Sequence, residues 1–321
     1  MKSNIEQYVQ AYQDLQHHMK WKVTDKRILM TIASIYVLNQ KPLQVERLLD
    51  LSETIKQKAS LFSTLRSNTR FTTAAMLDVK FENPEAKIQE LMDIYDLFRE
   101  VKFGSGTFTY IAASILLASD AEEPMETVNK AKEIYDGMKK EHAFLTSSND
   151  YPLATLLAIE DQTDIIYHIE RFYEELAKNG FRKGNDLQFL SHILALGTDV
   201  ETNVLINRAM YIKDSFQHTP FKVKSLYYPI IGMLALLPQN EYSIDQIVSM
   251  YEELKQQKEF KWQKDMNVMI AASIFVNEKI GNSQLAEASL STILEAILQA
   301  QQAVMIATIA AATASSSNNG N

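Results

Sequence analysis

The chain has 321 residues, 9 glycines, 7 prolines, no cysteine and a formal net charge of -8. Glycine at about 3% and proline at about 2% lie well below the usual ~7% and ~5%, which disfavours turn-rich all-β folds. Without cysteine there are no disulfides, thiolate zinc sites, iron–sulfur clusters or thiol nucleophiles, and the simplest expectation is a cytoplasmic protein.

The opening Met1-Lys2-Ser3-Asn4-Ile5-Glu6 has no apolar stretch of the kind a secretory signal needs. Charge is spread thinly: residues 1–160 carry 19 basic and 22 acidic side chains, and residues 161–321 carry 13 and 18. Phosphate neutralisation needs clustered Lys and Arg, so nucleic acid is not an expected partner. The longest weakly polar segment, 303–314, is too short for the ~20 residues of a membrane-spanning helix.

Residues 4–18 predict an isolated amphipathic helix, with Tyr12 nine residues before Trp21. An apolar stretch with a small residue at its centre follows, as Thr31-Ile-Ala-Ser-Ile35, and it recurs. Ala33, Ala74, Ala113, Ala154, Ser191, Gly232 and Ala272 are the anchors, in steps of 41, 39, 41, 37, 41 and 40 residues. A Tyr preceded by an apolar residue marks a second series, at Tyr95, Tyr135, Tyr173, Tyr211 and Tyr251, in steps of 40, 38, 38 and 40. A third marker, Phe103, Phe144, Phe181, Phe221 and Phe260, falls 8 to 10 residues after each Tyr. A period of about 40 residues held by three markers predicts an all-α fold, an α-solenoid of helical-hairpin repeats.

Within each unit the first predicted helix surrounds the small anchor, which permits close helix–helix approach. The second carries the Tyr and is amphipathic: Val128, Ala131, Ile134, Tyr135 and Met138 share a face. The copy at 44–60 lacks the Tyr and is the most degenerate. Polar turns holding Pro, Asn or Asp separate the two helices. Ser, Thr, Asn and Asp between hairpins supply N-cap oxygens. About seven hairpins plus the N-terminal helix make one repeat domain over residues 1–302, with 284–302 as the last amphipathic helix. The Ala-rich piece from 303 has three readings: a cap on the last hairpin, self-association or return into a groove, and membrane-surface contact. The final Ser315-Ser-Ser-Asn-Asn-Gly-Asn321 reads as a disordered tail.

Tyr12-Gln-Asp-Leu15, the segment Leu65-Arg-Ser-Asn-Thr-Arg-Phe-Thr-Thr-Ala-Ala75, the recurrent Tyr helices and the Ala/Ser-rich end after Gln299-Ala-Gln-Gln302 together resemble a domain-of-unknown-function family of Bacillus-like Firmicutes. The resemblance covers nearly the whole chain. It implies a cytoplasmic, helical bacterial protein of unassigned activity, and it carries over no functional residues.

Candidate chemistry is sparse. The six histidines form no HExxH motif and no i, i+4 pair, so no metal site and no cofactor is expected. His192 sits beside a normally small anchor, either as a packed histidine or as a site residue. Gly104-Ser-Gly-Thr107 before an apolar helix is an N-capping turn or a weak anion cradle. Asp150, Asp186 and Asp265 fall in equivalent inter-hairpin positions, either as N-caps or as an acidic rim of the kind helical toroid glycosidases use. Arg66 and Arg70 share a helix face, as an ion pair to a neighbouring repeat or as a binding pair for carboxylate or phosphate. Tyr95, Tyr135 and Tyr173, with the rest of their series, read as inter-hairpin packing with hydroxyls at the boundary; a ladder along a groove is the alternative. The expected function is a scaffold for a protein or peptide partner, and the alternative is a glycosidase-like hydrolase on an α/α toroid.

Overall fold

A computed structural model describes residues 3–61, 63–119, 121–160, 163–197 and 200–282. Among the described residues there are fourteen α-helices, four short 3-10 turns and no strand. The helices are α1 (Asn4–Met19), α2 (Lys26–Leu38), α3 (Val45–Lys58), α4 (Thr69–Lys80), α5 (Pro84–Glu100), α6 (Thr107–Ala118) and α7 (Pro124–Glu141). Then come α8 (Tyr151–Ile159), α9 (Ile165–Lys178), α10 (Asn185–Ala195), α11 (Thr202–Gln217), α12 (Tyr228–Leu236), α13 (Ile244–Gln256) and α14 (Lys264–Asn282). The expected helix at 284–302 and the Ala-rich and Ser-rich C-terminus lie outside the described residues. No helix among the described residues is long and apolar enough to cross a membrane.

Two kinds of helix alternate. The even-numbered helices are buried nearly all round: every residue of α12, and every residue of α2 from Ile28 to Leu38, is buried. The odd-numbered helices bury a single stripe, such as Leu48, Leu51, Ser52 and Ile55 in α3 or Ile165, Ile169, Phe172, Tyr173 and Leu176 in α9. A helix apolar on all sides needs neighbours on all sides, and a one-sided helix covers it from the solvent. All seven small anchors lie in even-numbered helices and all are buried. Gly232 shows why smallness matters: a Cβ there would lie 2.9 Å from both Ile193 Cγ2 and Leu190 Cδ1 of α10.

The described residues fall into two compact units, one up to Lys132 and one from Glu133 onward. In the first, α4 packs against α2 and α6, while α1, α3 and α5 pair with α2, α4 and α6. In the second, α10 packs against α8 and α12, and α12 against α14, with α9, α11 and α13 paired to α10, α12 and α14.

The tyrosines of the odd helices explain part of how hairpins join. Gly106 and Gly184, the N-caps of α6 and α10, have φ of 139° and 149°, which L side chains rarely adopt. Neither helix has a side-chain N-cap, contrary to the expectation of a Ser, Thr or Asp oxygen. Instead the Gly184 N–H donates to the Tyr173 hydroxyl at 3.2 Å, and the Gly106 N–H bonds to the Tyr95 hydroxyl. A tyrosine from the preceding helix therefore satisfies a donor that the helix start would leave unpaired.

Tyr211 departs from the series. It is 54% exposed, and the stripe of α11 is Leu205, Ile206, Ala209, Ile212 and Phe216. The apolar residue three positions after each other Tyr is replaced here by Asp214, so the helix turns by one residue and buries Ile212. Phe144 and Trp21 also leave the expected packing; they are 102% and 88% exposed, and Thr146 and Val23 are buried nearby.

Candidate functional site

Four residues singled out in the sequence, Tyr135, Asp150, Tyr173 and His192, come together in the second unit where α7 and α9 meet the starts of α8 and α10. Ser147 and Asp150 form a capping box on the 3-10 turn Ser148–Asp150, in which the Ser147 N–H donates to Asp150 Oδ2 at 2.8 Å. Asp150 occupies the N-cap position of α8 but gives that helix no side-chain bond. Its carboxyl is turned inward instead. His192 Nδ1 lies 3.8 Å from Asp150 Oδ1, too long for a hydrogen bond.

Burial governs the electrostatics. It pushes the Asp150 carboxyl up to about 7 against the bond from Ser147, which acts the other way. It pushes the fully buried His192 down to about 3, helped by the nearby His142. The usual order of a carboxylic acid and an imidazole is thus inverted. Between those values both groups are neutral, because a buried charge in this setting costs more than the pair recovers.

Around them, the Gln188 side-chain N–H donates to Thr146 Oγ1 at 2.8 Å, and Thr146 donates to the Met138 carbonyl at 3.1 Å. Both His192 nitrogens and Gln188 Oε1 are buried without a hydrogen-bond partner, each costing about 1–3 kcal/mol. The His142 ring packs against Tyr173 at a tilt of 47°, centroids 4.4 Å apart, and its Nε2 lies 2.9 Å from Glu170 Oε2. Tyr135 and Tyr151 meet edge-on at 4.9 Å and hydrogen-bond through their hydroxyls. Burial also raises the Glu170 carboxyl, against the opposing effect of His142. Chemically the cluster can hold a proton on Asp150 near neutrality opposite an unprotonated imidazole. Asp150 is 5% exposed and His192 is wholly buried, so the pair lies within the packing of α8 against α10.

The remaining sequence candidates stand elsewhere. Arg66 donates to the carbonyls of Lys56 and Ala59, capping the end of α3. Arg70 donates to the carbonyls of Arg66 and Ser67 and lies over the Phe71 ring at 4.3 Å. Both guanidiniums thus donate to backbone carbonyls, in place of the expected inter-repeat ion pair. Tyr95 stacks on Tyr110, centroids 3.9 Å apart. Asp186 lies in the first turn of α10. Asp265 lies in the first turn of α14, bonded by Lys224 Nζ at 2.6 Å and by the Tyr227 hydroxyl. Burial opposes ionisation of Asp265, and the bonds from Lys224 and Tyr227 outweigh it, so its carboxyl is held below the usual range.

One polar cluster escaped the sequence reading. In the first unit the buried Asp78 accepts from the Tyr36 hydroxyl at 2.6 Å and from Arg47 Nε at 2.8 Å, and pairs with Lys41 Nζ at 3.2 Å. The signal was a lone acid inside Met76-Leu-Asp-Val79. Beside this cluster an open cleft of about 620 Å³ is lined by Asp14, His18, Glu46, Arg47, Asp50 and Glu85 among others. An adjoining pocket of about 230 Å³ shares Asp14 and includes Tyr36 and Lys41. Among the described residues, no group of three or more His, Asp or Glu is arranged to hold a metal ion.

The family model described as protein of unknown function (DUF4003) matches residues 11–303. The chain belongs to that family. It is 38% identical over 320 residues to the uncharacterized protein YeaA of Bacillus subtilis (strain 168), spanning 98% of this chain and 96% of YeaA. The likeness read from Tyr12–Leu15 and from 65–75 thus leads to a DUF4003 relative in Bacillus. No solved structure matches. The DUF4003 assignment brings no activity with it, so function rests on the geometry above.

Proposed function

We propose that this chain is a helical-hairpin repeat scaffold, one repeat domain over residues 1–302, that holds a protein or peptide partner. The observation that carries this reading is the open cleft of the first unit between α1, α3 and the start of α5. Four carboxylates line it, on Asp14, Glu46, Asp50 and Glu85, whereas Arg47 is engaged by the buried Asp78. Such a surface favours a basic peptide segment. The alternation of buried and one-sided helices, with small anchors about 40 residues apart, supports the repeat reading. Charge and hydrogen bonding within the cleft come from rigid helices, which suits recognition of a partner without large rearrangement.

The test is affinity capture from lysate of the native host with the full chain and with a Glu46→Lys/Asp50→Lys variant. A partner held by the unaltered chain and lost from the variant is the expected result. If no protein is retained above the variant, the scaffold reading fails at this cleft.

A further inference from the structure

The connections that lead from an odd to an even helix lie side by side in the second unit. Gln188 at the start of α10 bonds Thr146 of the connection before α8. The Arg182 N–H donates to the Tyr228 hydroxyl at 3.0 Å, Lys264 Nζ reaches the Pro220 carbonyl at 3.3 Å, and Lys224 pairs with Asp265. One edge of this unit is therefore built from residues 142–150, 179–184, 218–227 and 257–263.

That edge is basic in an acidic chain. With the tying residues it carries Arg182, Lys183, Lys222, Lys224, Lys258, Lys261 and Lys264 against Glu259, Asp265 and the buried Asp150, with Lys224 paired to Asp265 and Lys183 to Glu174. Among the described residues, the connections at the other ends of these helices carry Glu160, Asp164, Glu201 and Glu241 and no Lys or Arg. The same edge holds large apolar side chains in water. Trp262 is 84% exposed, Phe144 102% and Leu226 41%, each on a separate connection. Lys261 Nζ lies 5.4 Å from the Trp262 ring centroid.

Isolated apolar tips beside lysines suit a surface with no fixed shape. At a bilayer interface, Trp and Phe settle at headgroup level while lysines extend their stems and meet lipid phosphates. A single-stranded nucleic acid wants aromatics following one another along a groove, and aliphatic Leu226 gives it no stacking platform. We propose that this edge of the second unit docks on an anionic lipid bilayer, with Trp262, Phe144 and Leu226 entering the headgroup layer and Lys222, Lys258 and Lys261 meeting lipid phosphates. In the first unit, Lys20-Trp21-Lys22 and the 79% exposed Leu61 give odd-to-even connections the same composition. The proposal does not depend on the scaffold reading, since the hydrogen bonds alone set the edge.

The chain has two tryptophans, so Trp21→Phe leaves Trp262 as sole reporter. Full-length Trp21→Phe protein is mixed with vesicles of phosphatidylcholine, and with vesicles of phosphatidylcholine and phosphatidylglycerol. The expected result is co-sedimentation and a blue-shifted Trp262 emission with the anionic vesicles alone, reversed by high salt. Lys222→Gln/Lys261→Gln should lower partitioning about 25-fold, at roughly fivefold per cation. Phe144→Ser should weaken binding without moving the thermal melt, since the side chain touches solvent. Failure to sediment with anionic vesicles overturns the proposal, as does binding indifferent to both substitutions. A Trp262 response to a single-stranded oligonucleotide without one to vesicles would assign the edge to nucleic acid and equally overturn it.

Discussion

The substitution Asp150→Asn should leave stability close to the native value in acid and make the chain more stable than the native form above neutrality. The carboxyl sits at about 7 when folded and near 3.8 when free. Its folded value is raised, so its contribution is fully present below about pH 4 and is lost as pH rises through about 7. That displacement is worth about 4 kcal/mol, at 1.36 kcal/mol for each tenfold change in proton affinity. His192 works in the opposite sense. Its folded value of about 3 lies below the free value of 6.5, so stability is lost as pH falls through that window. In the native chain the two nearly cancel between about pH 4 and 6.5, because folded and unfolded pairs bind the same number of protons. The amide of the Asp150→Asn variant keeps an oxygen for the Ser147 N–H but does not titrate, which unmasks the difference. Urea unfolding followed by circular dichroism, at steps from about pH 4 to about pH 8, gives the stability difference between variant and native chain. That difference should move toward the variant by about 4 kcal/mol across the range. A difference constant to within about 1 kcal/mol would show that the carboxyl is hydrated in solution, and the account of this cluster would be wrong.

In the first unit, Tyr36→Phe and Asp78→Asn should couple by about 1–3 kcal/mol in a double-mutant cycle, since their side chains bond at 2.6 Å within the core; additive losses would deny the contact. Gly232→Ala should cost about 1–3 kcal/mol through overpacking against Ile193 and Leu190, and an unchanged melting temperature would mean that α12 is further from α10 than 2.9 Å implies. Gly106→Ala meets open space, so its cost of about 1–3 kcal/mol comes from backbone strain alone; with φ 139° and ψ -169° the backbone lies in a region open essentially to Gly, so Gly106→Asn should cost about as much, and a variant as stable as the native chain would count against strain. Acrylamide should quench both Trp21 and Trp262 in the free protein, because both are more than four-fifths exposed, and a protected fraction would contradict that exposure.

Helix existence and type were legible because each signal is local. A small residue inside an apolar run marks a buried helix, and an i, i+3, i+4, i+7 stripe marks one that covers it. The departures came where a single residue outweighed the pattern. Asp214 in place of an apolar residue turned α11 and expelled Tyr211. Thr146 could satisfy its hydroxyl with Met138 and Gln188, so it took the buried place and left Phe144 outside. The candidate site was half legible. His192 and Asp150 stood out singly, one as a polar residue beside a small anchor and the other as an acid at a helix start. Their meeting depends on how α8 packs on α10, which no local window contains. Arg66 and Arg70 were read as a pair because they share a face, yet the carbonyls ending α3 and those of Arg66 and Ser67 take the two guanidiniums.

Four of the long-range polar contacts share one property. Tyr36 with Asp78 and Thr146 with Gln188 are each 42 residues apart, and Lys224 with Asp265 is 41. His192 and Asp150 are also 42 apart. These separations match the spacing of the small anchors, and the physical reason lies in the even helices. A helix buried on all sides has no solvent to satisfy a polar side chain; short hydroxyls such as those of Thr72, Ser114, Thr155 and Ser191 bond carbonyls of their own helix, whereas Asp78 and Gln188 find partners on the preceding even helix or the connection leading into it. The carboxylate and amide groups of these cores thus meet partners about one step away, as Asp78 and Gln188 do. His192 and Asp150 are the pair in which the partner comes near without closing a hydrogen bond. The unmet nitrogens of His192 and the neutral carboxyl opposite make this the place where the packing of two even helices responds most directly to proton concentration.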